Sequence, residues 1–248
     1  MNIYKTIKEL GRNAKAVTQS MRLLSTKKKN DALQILSKNI QTFSNEILDA
    51  NKKDIENAKT NSLSSPLINR LSLTPQSIEG LVKSIEIIKT LPDPIGKILD
   101  EWTQPNGLKF QKISVPLGVI AVIYESRPNV TVDAACIAMK SGNAVILRGG
   151  SDSFFSSKKL VEIIIKSFLE ADLPANAIQM IPTADREAID HLVKMKEYVD
   201  IIIPRGGKNL IEKINSQSSI PVIKHLDGIC HVYIDKYADI NKAKKVLF

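Results

Sequence analysis

From residue 113 onward the sequence alternates short, continuously apolar, β-branched runs with stretches of helical periodicity, and this alternation restricts the fold more than any other feature. A strand exposed on one face carries a polar residue at every second position. Val119–Tyr124 and Ala144–Arg148 have no such gaps up to the terminal Tyr and Arg, so they read as strands covered on both faces. Ala177–Pro182, Ile201–Pro204, Val222–Ile223 and Cys230–Ile234 are further candidates. Between them Ala134–Lys140, Phe154–Glu170, Arg186–Glu197 and Lys208–Gln217 would be the crossover helices. The expected fold is therefore α/β, with a doubly wound, mainly parallel sheet. Such sheets receive ligands beyond the carboxyl ends of their strands.

The preceding hundred residues read as helices. Ala32, Ile35, Leu36, Ile40, Phe43, Ile47 and Leu48 recur at helical spacing and predict one amphipathic helix with a buried face. Further helices are expected over about residues 3–23 and, behind Thr74 as cap and Pro75 in the first turn, about residues 75–90. Leu91-Pro92-Asp93-Pro94 closes this section, and Trp102–Phe110, with Pro105-Asn106-Gly107 at its centre, predicts a hairpin or an irregular crossing piece. The expected division is 1–112 as an N-terminal helical section and 113–248 as the α/β section.

Composition bears mainly on partners. With 43% hydrophobic and 25% charged residues the chain is neither a disordered polyelectrolyte nor a fibre, and its formal charge of +9 favours an anionic partner. Nucleic acid is not expected: the basic residues are dispersed apart from Lys27-Lys28-Lys29, aromatic content is 5%, and no helix carries a basic stripe with base-reading side chains. Phosphorylated small molecules and dinucleotides fit the charge better. No apolar run approaches the roughly 20 residues that span a bilayer. The N-terminal MNIYKTIKEL has no apolar signal core, so a cytoplasmic location with no membrane partner is expected. Cys136 and Cys230 both sit in apolar segments, where a buried, reduced thiol is the usual state.

Two candidate strands end in an arginine followed by a glycine doublet, Arg148-Gly149-Gly150 and Arg205-Gly206-Gly207, each leading into a helix. Glycine lets the backbone approach an anion, the helix start presents free N–H groups, and arginine adds a forked donor. Neither doublet matches a complete dinucleotide or P-loop pattern, so a phosphate cradle and a simple tight turn both stand as readings. The turn Tyr124-Glu125-Ser126-Arg127-Pro128-Asn129 projects polar groups at the same edge, where the Asn129 amide either holds an oxyanion or caps the next helix. Cys230 and His231, as strand neighbours, would face opposite sides, so no metal site is expected; His225 stands at a strand-to-loop transition, and His191 has acidic neighbours on a surface helix.

The segments VPLGVIAVIYESRPNVTVDAACIAMKSGNAVILRGGS (115–151), IIIPRGGKNLI (201–211) and PVIKHLDGICHVYIDKYADI (221–240) closely resemble the γ-glutamyl phosphate reductase family of the aldehyde dehydrogenase superfamily. The resemblance implies an NADP-dependent oxidoreductase of proline biosynthesis, in which NADPH reduces L-glutamate 5-phosphate to L-glutamate 5-semialdehyde and phosphate. It implies that Arg148 meets the adenosine ribose and its 2′-phosphate, with Gly149 and Ser151 at the same strand end. It implies further that Arg205, Gly206 and Gly207 form the pyrophosphate turn, that Tyr124, Glu125 and Ser126 wall the nicotinamide, and that Asn129 holds the oxyanion. His225 falls where aldehyde oxidisers carry the glutamate that activates water, and loss of that base suits a reductive enzyme that must protect its thioester. The family's nucleophilic cysteine lies in a Pro-Gly-x-Cys-Asn motif that would fall beyond Phe248, and Cys136 and Cys230 belong to other segments. The expectation is thus an incomplete aldehyde dehydrogenase-like cofactor domain without its catalytic domain, inactive alone. A second chain supplying the cysteine, or a non-catalytic remnant that still binds dinucleotide, are the two ways such a chain could exist.

Overall fold

The computed structural model describes residues 2–224 and 231–247. Six helices come first: α1 (Ile3–Ala16), α2 (Thr18–Arg22), α3 (Thr26–Thr42), α4 (Ser44–Thr60), α5 (Ser65–Leu71) and α6 (Pro75–Thr90). Local chemistry sets several of their starts. The Ser25 hydroxyl accepts from the Lys28 N–H at 3.2 Å, and Thr74 and Ser77 bond reciprocally in a capping box ahead of α6. Two expected helices are interrupted. The stretch over residues 3–23 breaks at Val17, and the run from Ala32 to Leu48 breaks at Phe43, so that α3 lies mainly against α6 and α8 and α4 mainly against α8. Periodicity survives such a break because both halves bury the same face; α5 lacks enough periods to be seen.

The Trp102–Phe110 segment is a hairpin of β1 (Ile98–Thr103) and β2 (Lys109–Ile113), antiparallel and exposed along its whole length. Gly107, with φ +88°, makes its turn, and Trp102 stacks on Phe110 with ring centroids 5.4 Å apart.

The α/β section then runs β3 (Val119–Tyr124), α7 (Asn129–Lys140), β4 (Ala144–Arg148), α8 (Phe154–Glu170), β5 (Ile178–Met180), α9 (Glu187–Leu192), β6 (Ile201–Arg205), α10 (Lys208–Gln217) and α11 (Ile240–Leu247). Strands β3 to β6 form one parallel sheet in the order β5-β4-β3-β6. Side chains alternate between two cores. Ile120, Val122, Val145 and Leu147 join the layer of α3, α6, α7 and α8, whereas Val119, Ala121, Ile123 and Ile146 join α1, α9 and α10. Burial on both faces is the physical reason these strands read as ungapped apolar runs. Where the sheet thins, the sequence overstates it: Ala177–Pro182 shrinks to the edge strand β5, Val222 makes only a bridge to Ile202, and 231–234 forms no strand. Cys230 lies outside the described residues.

The entry to β3 depends on Gly118, whose φ is +118°. A side chain there would collide with the Asp200 carboxylate, which accepts from the Val119 N–H at 2.8 Å and pairs with Lys15 at 2.8 Å.

From β3 the chain winds through β4 to β5 in one direction, then β6 returns to the other side of β3. The winding therefore reverses between β3 and β6, and at such a reversal the loops leaving the strand ends part into a crevice.

Candidate active site

Adjacent parallel strands bring Tyr124, Arg148 and Arg205 to one edge, with Ile123 opposite Arg148 and Tyr124 opposite Arg205. Three turns meet there: 125–128 before α7, 149–153 before α8, and Gly206-Gly207 before α10.

The first two turns interlock. Tyr124 is fully buried, with its hydroxyl 2.6 Å from the Thr131 hydroxyl. Burial pushes its phenol above the usual range, against the weaker pull of Thr131, Ser157 and the Arg148 charge. A Cβ on Gly149 would stand 3.2 Å from the Tyr124 hydroxyl oxygen, so the ring forms the floor beneath that turn and is not offered to a ligand at the edge. Ser126, at φ +42°, donates its hydroxyl to Asp152, and a Cβ on Gly150 would stand 3.2 Å from the Ser126 backbone nitrogen. Ser151 is exposed at the start of a short 3-10 turn.

Arg148 is only 7% exposed. One guanidinium nitrogen donates to the Ala184 carbonyl at 2.9 Å, and its Nε finds no hydrogen-bond partner among the described residues. Burial, then the neighbouring Arg186 charge, pushes the guanidinium below its ordinary value, and Glu125, Asp152 and Asp185 oppose that shift. A buried N–H without an acceptor is costly, and an anion delivered to it would remove that cost. The residues present therefore fit a phosphorylated cofactor.

At the third turn the Glu125 carboxylate accepts from the Gly207 N–H at 2.9 Å, and the Glu125 N–H donates to the Arg205 carbonyl at 3.2 Å. Arg205, Gly206 and Gly207 are exposed. A Cβ on Gly206 would lie 2.5 Å from Glu125 Oε2, so glycine is what lets an oxygen come onto the backbone here.

Asn129 is half-buried at the first position of α7, one residue past the cap position, which Pro128 holds. Its amide nitrogen is 3.5 Å from Asp133 Oδ2, too long for a strong bond, and Asp133 also accepts from Ser84 at 2.8 Å. His225 lies outside the described residues. His231 is exposed in an irregular segment, and His191 stands 3.1 Å from Glu187 on α9. Cys136 is fully buried on α7, where burial and the Asp133 charge push its thiol far above the range in which a thiolate forms. Among the described residues no cluster of His, Cys, Asp and Glu could hold a metal, and no helix is long and apolar enough to cross a membrane. Sequence reasoning missed Asp152, although an acid following a glycine doublet at a helix start is a visible signal.

Residues 4–248 match the aldehyde dehydrogenase family, and the chain belongs to it. Gamma-glutamyl phosphate reductase of Paramagnetospirillum magneticum is 45% identical over 239 residues, covering 96% of this chain and 56% of the relative. The enzyme of the same name from Brucella suis is 44% identical over 246 residues, covering 99% and 58%. Among solved structures, gamma-glutamyl phosphate reductase of Thermotoga maritima superposes with a TM-score of 0.89 at 34% identity, covering 97% of this chain and 58% of that one. The chain spans a little over half the length of these relatives.

Proposed function

We propose that this chain is the cofactor-binding half of a γ-glutamyl phosphate reductase, acting in the cytoplasm in the NADPH-dependent reduction of L-glutamate 5-phosphate to L-glutamate 5-semialdehyde and phosphate. Residues 1–112 would supply the helical layer and 113–248 the dinucleotide section. The observation that carries this reading is the strand-end crevice, with a buried Arg148 whose Nε lacks an acceptor among the described residues, in a chain 45% identical to a gamma-glutamyl phosphate reductase over 96% of its length.

In this reading Arg148 binds the ribose 2′-phosphate and Ser151 stands beside it, while the Gly206-Gly207 backbone receives the pyrophosphate. When bound, NADPH supplies a hydride to the substrate's acyl carbon. Ser126, held by Asp152, keeps the β3–α7 turn against the nicotinamide end. The Asn129 amide, free of a strong internal bond, orients toward the acyl oxygen as negative charge develops on it. A histidine stands at 225 where aldehyde oxidisers carry their water-activating glutamate, and this departure from the hydrolytic residue suits a reductive enzyme that must keep water from its acyl group.

Covalent catalysis needs an accessible thiolate, and Cys136 cannot provide one. A non-catalytic dinucleotide-binding role is therefore the second reading for these 248 residues alone. The two readings separate in an assay of phosphate-dependent NADP⁺ reduction by L-glutamate 5-semialdehyde. The purified chain is expected to show no turnover. Turnover is expected once a second chain carrying the part of the Paramagnetospirillum relative outside the matched region is added. Turnover by the chain alone would overturn the assignment of the nucleophile to another segment; none in the mixture favours the non-catalytic role.

A further inference from the structure

Glu125 is exposed, yet its side chain is engaged in a particular way. Its Oε2 accepts from the Gly207 N–H at 2.9 Å and lies 2.5 Å from where a Cβ on Gly206 would stand. An outward N–H and room for an oxygen on the backbone are the two features that make a glycine turn at a helix start receptive to an anion. The ten-residue α10 adds the partial positive charge of its first turn. A carboxylate 82 residues away in sequence already takes both features. One strand beyond β3 lies Arg148, more than nine-tenths buried, whose Nε has no hydrogen-bond partner among the described residues, so the same edge holds a second donor without an acceptor.

We propose that Glu125 is an internal competitor for the phosphate groups of the dinucleotide: it occupies the α10 start in the absence of ligand and must leave when the pyrophosphate arrives. This inference rests on the reading of the crevice as an NADPH site. Leaving is cheap, because an exposed carboxylate trades one backbone hydrogen bond for water. Staying is expensive, because like charges would stand a few ångströms apart. The consequence is selectivity. A lone phosphate gains too little at Gly206-Gly207 to displace Glu125, whereas a dinucleotide gains at Arg148 as well.

The test is calorimetric titration of NADPH, and separately of inorganic pyrophosphate, into the wild-type chain and Glu125→Gln, with thermal melts confirming that both fold. Glutamine keeps the length and removes the charge. The variant is expected to bind NADPH about tenfold more tightly at low salt, with the gain shrinking as salt screens the repulsion. Pyrophosphate should bind the variant measurably better than the wild type. Equal or weaker binding of NADPH to the variant, with wild-type binding intact, would overturn the proposal. If neither protein binds NADPH, the cofactor reading fails, and pyrophosphate still decides: improved binding keeps Glu125 as an anion competitor, and unchanged binding overturns that too.

Discussion

Replacing Lys29 by methionine is expected to destabilise the chain by about 3 kcal/mol, toward the lower end of what breaking a buried ion pair costs. Lys29 on α3 is 1% exposed, and its ammonium bonds both oxygens of Asp93, at 3.0 and 2.9 Å, where the chain leaves α6. Asp93 also accepts from the Thr26 hydroxyl at 2.9 Å and the Ile95 N–H at 3.0 Å. Removing the lysine leaves a largely buried carboxylate with neutral donors only. Burial pushes Asp93 up, but the bonds from Lys29, Ile95 and Thr26 and the Lys29 charge outweigh it and hold the carboxyl below its ordinary value. A depressed carboxylate contributes stability that is present above the unfolded value of about 4 and is lost as pH falls through the folded one. Denaturant melts of wild type and variant should therefore converge below about pH 4. The double variant Lys29→Met with Asp93→Asn should recover part of the loss. A single-variant loss under about 1 kcal/mol would mean that the pair is screened like a surface one.

Asp54→Ala is expected to cost about 3 kcal/mol, because one side chain from α4 satisfies three donors at the start of α8. Its oxygens accept from the Phe155 N–H at 3.0 Å, the Ser156 N–H at 2.7 Å and the Ser156 hydroxyl at 2.5 Å, all at a residue 1% exposed. Ser153, at the cap position, makes no side-chain cap bond of its own. Since α8 carries the Gly149–Ser153 turn, the variant should also bind NADPH more weakly. Asp54→Asn, which keeps one acceptor, should cost less. Burial lifts the Asp54 carboxyl above its usual range despite the bonds from Ser156 and Phe155. A raised carboxylate is penalised once ionised, so the advantage of wild type over Asp54→Asn should shrink as pH rises from about 4 through the folded value. The Lys29→Met comparison slopes the opposite way. Melts across pH read both, and an Asp54→Ala loss below about 1 kcal/mol would show that water replaces the cap.

Legibility in the sequence followed the range of the interactions involved. Val119–Tyr124 and Ala144–Arg148 stand where the ungapped runs put them, bounded by Gly118 and Gly149, and Pro75–Thr90 starts at its own cap. Those boundaries are set by neighbours in the chain. The break at Phe43 and the shortening of β5 to Ile178–Met180 are set by what packs across the fold, which periodicity does not carry. At the site, the arginine–glycine doublets were visible because each is local. The clasp of Glu125 on Gly207, the bond from Ser126 to Asp152 and the Arg148 Nε, which has no partner among the described residues, were not, because each depends on turns that only the fold brings together.

If the strand-end crevice receives NADPH through Arg148, fluorescence titration of NADPH and NADH into the wild-type chain and Arg148→Met will show it. The wild type is expected to bind both saturably and to prefer NADPH. Losing a charge-assisted bond to phosphate is worth about 2 kcal/mol, so the variant should bind NADPH roughly 30-fold more weakly while NADH changes little. A cooperatively melting wild-type chain that fails to bind NADPH, or a folded Arg148→Met that keeps the preference, would contradict the account.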